Sequence, residues 1–131
     1  MKQEIAKNQY YEVFADPEKN RLYYNIFGFW RSVDLVPNNY EDLRIATTKL
    51  KPGFDILADL RTMKPPPETV AELHISTQKL VVEKGLSKTA EVYDEETVKF
   101  MGERYSRESK MDTQVFSSMS EAEAWLDSFK K

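Results

Sequence analysis

Between residues 54 and 84 the chain changes its hydrophobic period from two to about three and a half. Phe54, Ile56, Ala58 and Leu60 alternate with Asp55, Leu57, Asp59 and Arg61, as the two faces of a strand do. Three prolines follow, Pro65 to Pro67, and then Val70, Leu73, Thr77, Leu80 and Val81 recur at helical spacing up to Gly85, which is placed to close the helix. The same reading predicts a hairpin upstream. Tyr10–Ala15 and Arg21–Phe27 are rich in aromatic and branched residues, and Asp16, Pro17 and Asn20 supply turn chemistry between them. Gly28 ends the second strand, and Pro37, Asn38 and Asn39 precede a helix carrying Tyr40, Leu43, Thr47 and Leu50.

Downstream, Lys88–Tyr93 alternates Ala90 and Val92 against Thr89, Glu91 and Tyr93. Asp94, Glu95 and Glu96 suit a helix start, with Val98, Met101 and Tyr105 on the buried stripe. Thr113–Ser117 predicts a short last strand. Ser120 and Glu123 fit a capping box for a final helix that would dock Trp125 into the core beside Ala122, Leu126 and Phe129. The predicted order is ββαβαβαβα, one α/β domain over residues 1–131, with residues 1–8 as a loose tail. Each helix serves as a crossover, which gives a five-stranded, mostly parallel sheet with the first strand antiparallel at one edge, beginning at Tyr10 and Tyr11. Asp55, Asp59, Glu12 and Glu91 within strands imply that one sheet face is only partly covered.

Composition narrows the function classes. The 131 residues carry 40% hydrophobic and 31% charged side chains, within the range of chains that fold on their own. A net charge of −3 gives no long-range attraction for nucleic acid or an anionic membrane. No cysteine is present, which removes disulfides, thiolate nucleophiles and cysteine-bound metals. No apolar run of signal-peptide or membrane-spanning length occurs, so the expected location is the cytoplasm, with no membrane insertion.

The element order, the glycine closing the second strand (Tyr23 to Gly28), the segment Lys51–Arg61 with Ile56-Leu57-Ala58-Asp59-Leu60-Arg61, and the ending Phe116–Leu126 together resemble the anti-sigma-factor-antagonist (STAS) family, in particular its SpoIIAA-like bacterial group. The resemblance spans almost the whole chain. It implies a β-α superhelix and a non-catalytic regulatory or protein-interaction role in a bacterial cytoplasm. In the best-understood members, a serine after an aspartate at the start of the helix following this strand is phosphorylated to switch binding of a kinase-like partner. Here that region reads Pro65, Pro66, Pro67, Glu68 and Thr69, with neither the Asp-Ser pair nor the glycine behind it. Thr69 is the nearest hydroxyl. A looser likeness to Sec14-like folds implies the alternative of a carrier of lipid or a small apolar ligand, its pocket lined by Phe54, Leu73, Tyr93 or Trp30.

The candidate interaction or switch loop is therefore Asp59, Arg61, Thr62, Lys64, Glu68 and Thr69, with Asp59 expected to pair with Arg61 and brace the loop. An anion cradle at this helix start is disfavoured, because three prolines lack N–H donors and Glu68 puts a carboxylate where the anion would sit. Phe27, Phe29, Trp30 and Val33 either fill the core under the first helix or form an exposed aromatic surface for a partner. His74 is the only histidine and is expected at a half-buried helix margin. Without a spaced second ligand it makes no metal site. No nucleophile elbow or phosphate loop is present, the carboxylates Asp55 and Asp59 suit a solvated sheet face or a loop contact and Asp94 to Glu96 a helix start better than an acid pair, and neither catalysis nor a cofactor is expected. A homodimer through the first hairpin or the less covered sheet face is expected from its aromatic surface.

Overall fold

The computed structural model describes residues 1–94 and 96–130, and the backbone alone of residue 97; the Glu95 of the predicted helix start lies outside the described residues. Six strands, β1 (Gln3–Lys7), β2 (Tyr11–Asp16), β3 (Arg21–Gly28), β4 (Asp55–Met63), β5 (Lys88–Val92) and β6 (Thr113–Phe116), form one sheet in sequential order. The pairs β1–β2 and β2–β3 are antiparallel, and β3 through β6 run parallel. Among the described residues four α-helices make the connections and the ending: α1 (Asn39–Thr48), α2 (Glu68–Glu83), α3 (Glu96–Ser109) and α4 (Met119–Asp127). Among the described residues no helix is long and apolar enough to cross a membrane.

The parallel part follows the predicted period. Ile56, Ala58 and Leu60 of β4 join Leu22, Tyr24 and Ile26 of β3 in a core under Leu43 and Ala46 of α1, Val70, Leu80 and Val81 of α2, and Val98 of α3. Leu57, on the opposite face of β4, packs with Tyr23, Ala90 and Val92 against Ala122 and Leu126 of α4. Three helices thus cover one face and a single helix covers part of the other, which leaves Glu12 and Asp59 half-buried, whereas Asp55 is buried and Glu91 is buried on the face that three helices cover. Gly85 ends α2 at φ +108°, and a Cβ there would lie 2.8 Å from the Pro52 Cα, so the site demands glycine on both counts.

Three expectations are corrected. The first residues are not a loose tail: Gln3–Lys7 pairs with β2, so the sheet has six strands, and the strand beginning at Tyr11 is internal instead of the edge. The new edge is charged and kinked by a register shift between Glu4 and Ala6, features that discourage pairing with another chain. The last helix is capped by Ser118, whose hydroxyl accepts from the Glu121 N–H, not by a Ser120–Glu123 box. Trp125 is only half buried, and Ala122 and Leu126 enter the core in its place.

Glu123 is instead recruited to a charge network. Arg21, fully buried, donates to Asp55 at 2.8 and 3.3 Å and to Glu123 and Asp127 at 2.8 Å each, while the Tyr23 hydroxyl donates to Glu123 at 2.7 Å. Arg21 opens β3 and Asp55 opens β4, so this network ties α4 to the amino-terminal ends of the parallel strands. Asp55 is accordingly a buried ion-pair partner, not a residue of a solvated sheet face.

Candidate functional site

Two sites emerge, one on the surface at the carboxyl ends of β3 and β4 and one inside. On the surface, Arg61, Thr62, Lys64, Glu68 and Thr69 are all exposed, and Asp59 is partly so. Parallel pairing continues to the rim, where Thr62 and Met63 lie beside Phe27 and Gly28, and the Lys64 N–H donates to the Gly28 carbonyl at 2.9 Å. This bond sets Phe29, 51% exposed, next to the loop. Asp59 takes Arg61 in a bidentate pair at 2.9 Å for both bonds, and accepts from the Arg61 backbone N–H at 3.2 Å. The Arg61 guanidinium holds the Asp59 carboxyl below its ordinary range. Both partners lie on one strand two residues apart, so Asp59 orients Arg61 and does not brace the loop.

At the helix start, Pro67 is the cap residue and offers no side-chain hydrogen bond. Glu68 turns to α3, accepting from Arg104 at 2.8 and 3.2 Å, and this pairing lowers its carboxyl pKa. The helix entry is thus tied to α3 through the Glu68–Arg104 side-chain pair. Thr69 remains exposed beside it.

The aromatic trio divides. Phe29 is on the surface and Phe27 half buried, whereas Trp30 is 1% exposed and is no part of a surface. Its indole N–H donates to the carbonyls of Tyr10 and Phe27, each at 3.1 Å, and its ring packs on Tyr11 and His74. The indole thus locks the end of the hairpin under the helices. The core-filling alternative describes Trp30 and the surface alternative describes Phe29.

His74 departs further from the expected helix margin. It is buried between Trp30, with ring centroids 5.0 Å apart, and Tyr105, stacked at 5.9 Å. Burial pushes its pKa down to about 4, so the imidazole is neutral at pH 7. It borders the interior site, a cavity of about 50 Å³ between β3–β5 and the helices α2 and α3. None of Phe54, Leu73, Tyr93 or Trp30, expected to line such a pocket, borders it; Thr89, Glu91, Gly102 and Tyr105 do.

Glu91 is the residue that the sequence pattern misassigned. It is buried, accepts a 2.7 Å hydrogen bond from the Tyr93 hydroxyl, and has no ion-pair partner among the described residues. Burial, only partly offset by that bond, pushes its pKa up to about 7. The one sequence signal was Gly102 inside a helix. A Cβ there would stand 1.8 Å from the Tyr93 hydroxyl oxygen and 3.4 Å from Glu91 Oε1, so the glycine is what lets α3 close over this pair. Among the described residues no group of three metal-ligating side chains comes together.

No family model matches the chain, and no curated protein matches it. Among solved structures it is similar to an uncharacterized protein of the DUF3478 family with a SpoIIAA-like fold from Shewanella loihica PV-4. The two share 12% sequence identity, the alignment covers 92% of this chain and 97% of that one, and the TM-score is 0.64. At this identity the likeness is one of fold: the chain has the SpoIIAA-like, STAS-type architecture that its sequence resembles, with six strands where five were expected.

Proposed function

We propose that this SpoIIAA-like chain works by binding and not by catalysis, as a regulatory interaction module in a bacterial cytoplasm whose partner is another protein. The observation that carries the reading is the rim at the carboxyl ends of β3 and β4. There the exposed Phe29 follows Gly28, whose carbonyl takes the Lys64 N–H, on a rim that also carries the exposed Arg61 and Thr62 and leads to Glu68 and Thr69 at the start of α2. Open α/β sheets present their binding surfaces at this end of the strands. An exposed aromatic on a rim that also carries charged and hydroxyl groups is the composition of a small protein-recognition patch. Phosphate on Thr69 would add close to two negative charges to this surface without moving the core.

A cavity of about 50 Å³ gives the lipid-carrier alternative no support, since pockets for drug-sized ligands hold roughly 300–1,000 Å³. A second copy of the chain is one candidate partner, through the half-covered face that carries Glu12, Phe14 and Asn25. Photo-cross-linking in the native host tests the main reading. A photoreactive residue at position 29 or 62 is expected to trap one protein, and the same residue at position 124 on the exposed side of α4 is not. Equal labelling from all three positions, or none, would overturn it.

A further inference from the structure

The interior cavity combines three features that packing alone does not require. His74 Nε2, Thr89 Oγ1 and Tyr105 Oη are each buried with no hydrogen-bond partner among the described residues, and all three residues border the same space. Their exposures are 4%, 1% and 3%. A buried polar atom left unpaired costs about 1–3 kcal/mol, so three around one cavity, with a buried carboxyl beside them, form a set built around something.

The chemistry of the set defines the occupant. Among the described residues no lysine or arginine lines the cavity, the only acidic group is Glu91, and the imidazole of His74 is uncharged. An anion would meet a carboxyl with no compensating charge, and is excluded. Two of the orphaned atoms are hydroxyl oxygens, which can accept, and the third, Nε2 of His74, accepts in the tautomer that carries its proton on Nδ1. A primary ammonium offers three donors, no acceptor and the missing positive charge. The rings of Tyr24 and Tyr105 also border the space and suit a cation.

A groove between α3 and β6, lined by Lys99, Glu103, Arg107 and Gln114, lies next to the cavity, with Glu91 and Met111 bordering both. A volume of about 50 Å³ limits the occupant to a few non-hydrogen atoms, because one water needs roughly 10–15 Å³. We infer that the cavity between β5, α2 and α3 is a binding site for a small primary amine, the three N–H donors of its ammonium group held by Glu91 with Thr89 and Tyr105 as further acceptors.

The site lies inside the fold and is independent of the proposed partner surface. It is tested by nuclear magnetic resonance titration of the whole chain with methylammonium chloride, against sodium chloride, sodium acetate, acetamide and tetramethylammonium chloride at equal ionic strength. Methylammonium is expected to give saturable shifts at the amides of Thr89, Glu91, Gly102 and Tyr105. Acetate and tetramethylammonium, which bring a negative charge or no N–H, are expected to give none.

Glu91→Gln is expected to weaken methylammonium binding by roughly tenfold or more, the loss of one charge-assisted hydrogen bond. Tyr105→Phe keeps the ring, removes one acceptor and is expected to weaken binding severalfold, which preserves the test if the Glu91 variant does not fold. A cavity that holds only ordered water would show no saturable shifts, and that result overturns the inference. Equal response to acetamide, or to tetramethylammonium, overturns it as well.

Discussion

The pH dependence of stability isolates Glu91. Its pKa moves from 4.5 in the unfolded chain to about 7 in the fold because burial disfavours the charged form. The folded state therefore holds this proton more tightly. The contribution of Glu91 to stability is fully present below pH 4.5 and is lost as pH rises through 7. At about 1.4 kcal/mol per pH unit, the loss over this window is roughly 3 kcal/mol. His74 works in the opposite sense. Its pKa falls from 6.5 to about 4, so its neutral form favours the fold above pH 6.5 and that contribution is lost as pH falls through 4, again by roughly 3 kcal/mol.

In the wild type the two nearly cancel between pH 4.5 and 6.5. In Glu91→Gln, which keeps an acceptor for the Tyr93 hydroxyl, the His74 dependence is uncovered. Urea denaturation of both proteins from pH 4.5 to 8 reads the difference. Glu91→Gln is expected to gain stability relative to the wild type by roughly 3 kcal/mol across that interval, with most of the change between pH 5 and 7. The carboxylates of the surface pairs titrate alike in both proteins and drop out of the difference. Parallel curves would refute the reasoning, since a Glu91 with an ordinary carboxyl pKa would finish titrating near pH 5.

Arg21→Met is expected to destabilise the fold by about 3–5 kcal/mol in urea, because Asp55 is left buried without its main partner. Asp127→Asn, on the half-exposed side of the same network, is expected to cost under about 1 kcal/mol. Gly102→Ala forces Tyr93 from its place. The strain of about 1–3 kcal/mol is offset by up to about 1 kcal/mol of helix propensity, and thermal unfolding should show a net loss. Adding Tyr93→Phe should recover only part of it, since a ring carbon still lies 2.9 Å from the new Cβ. Asp59→Ala removes a contact made to Arg61 alone, so denaturation should show a change under about 1 kcal/mol, while any partner seated on Arg61 binds differently.

What local chemistry governs was legible in the chain. The alternation through β4 assigned Ile56, Ala58 and Leu60 to one core and Leu57 to the other, and the helical spacing from Val70 to Val81 placed α2 correctly. Proline and glycine positions marked the entry and exit of α2, because their backbone restrictions act at the residue itself. The Asp59–Arg61 pair was readable for the same reason, its partners being two residues apart on one strand.

What depended on distant partners was not. A strand's period sorts its residues into two faces but does not say which face a helix covers. Thr89, Glu91 and Tyr93 look like a solvated face until α3 closes over them, and only that packing turns Glu91 into a buried acid. The segment Gln3–Lys7 has no alternating apolar face and becomes a strand because β2 offers it backbone partners. Arg21, Asp55, Glu123 and Asp127, more than a hundred residues apart at the extremes, become one network by the same means. Sequence by itself determined the period, the breaks and so the α/β order from β2 onward; burial, electrostatics and the pairing of β1 are properties of contacts between remote segments, and the tertiary structure alone decided them.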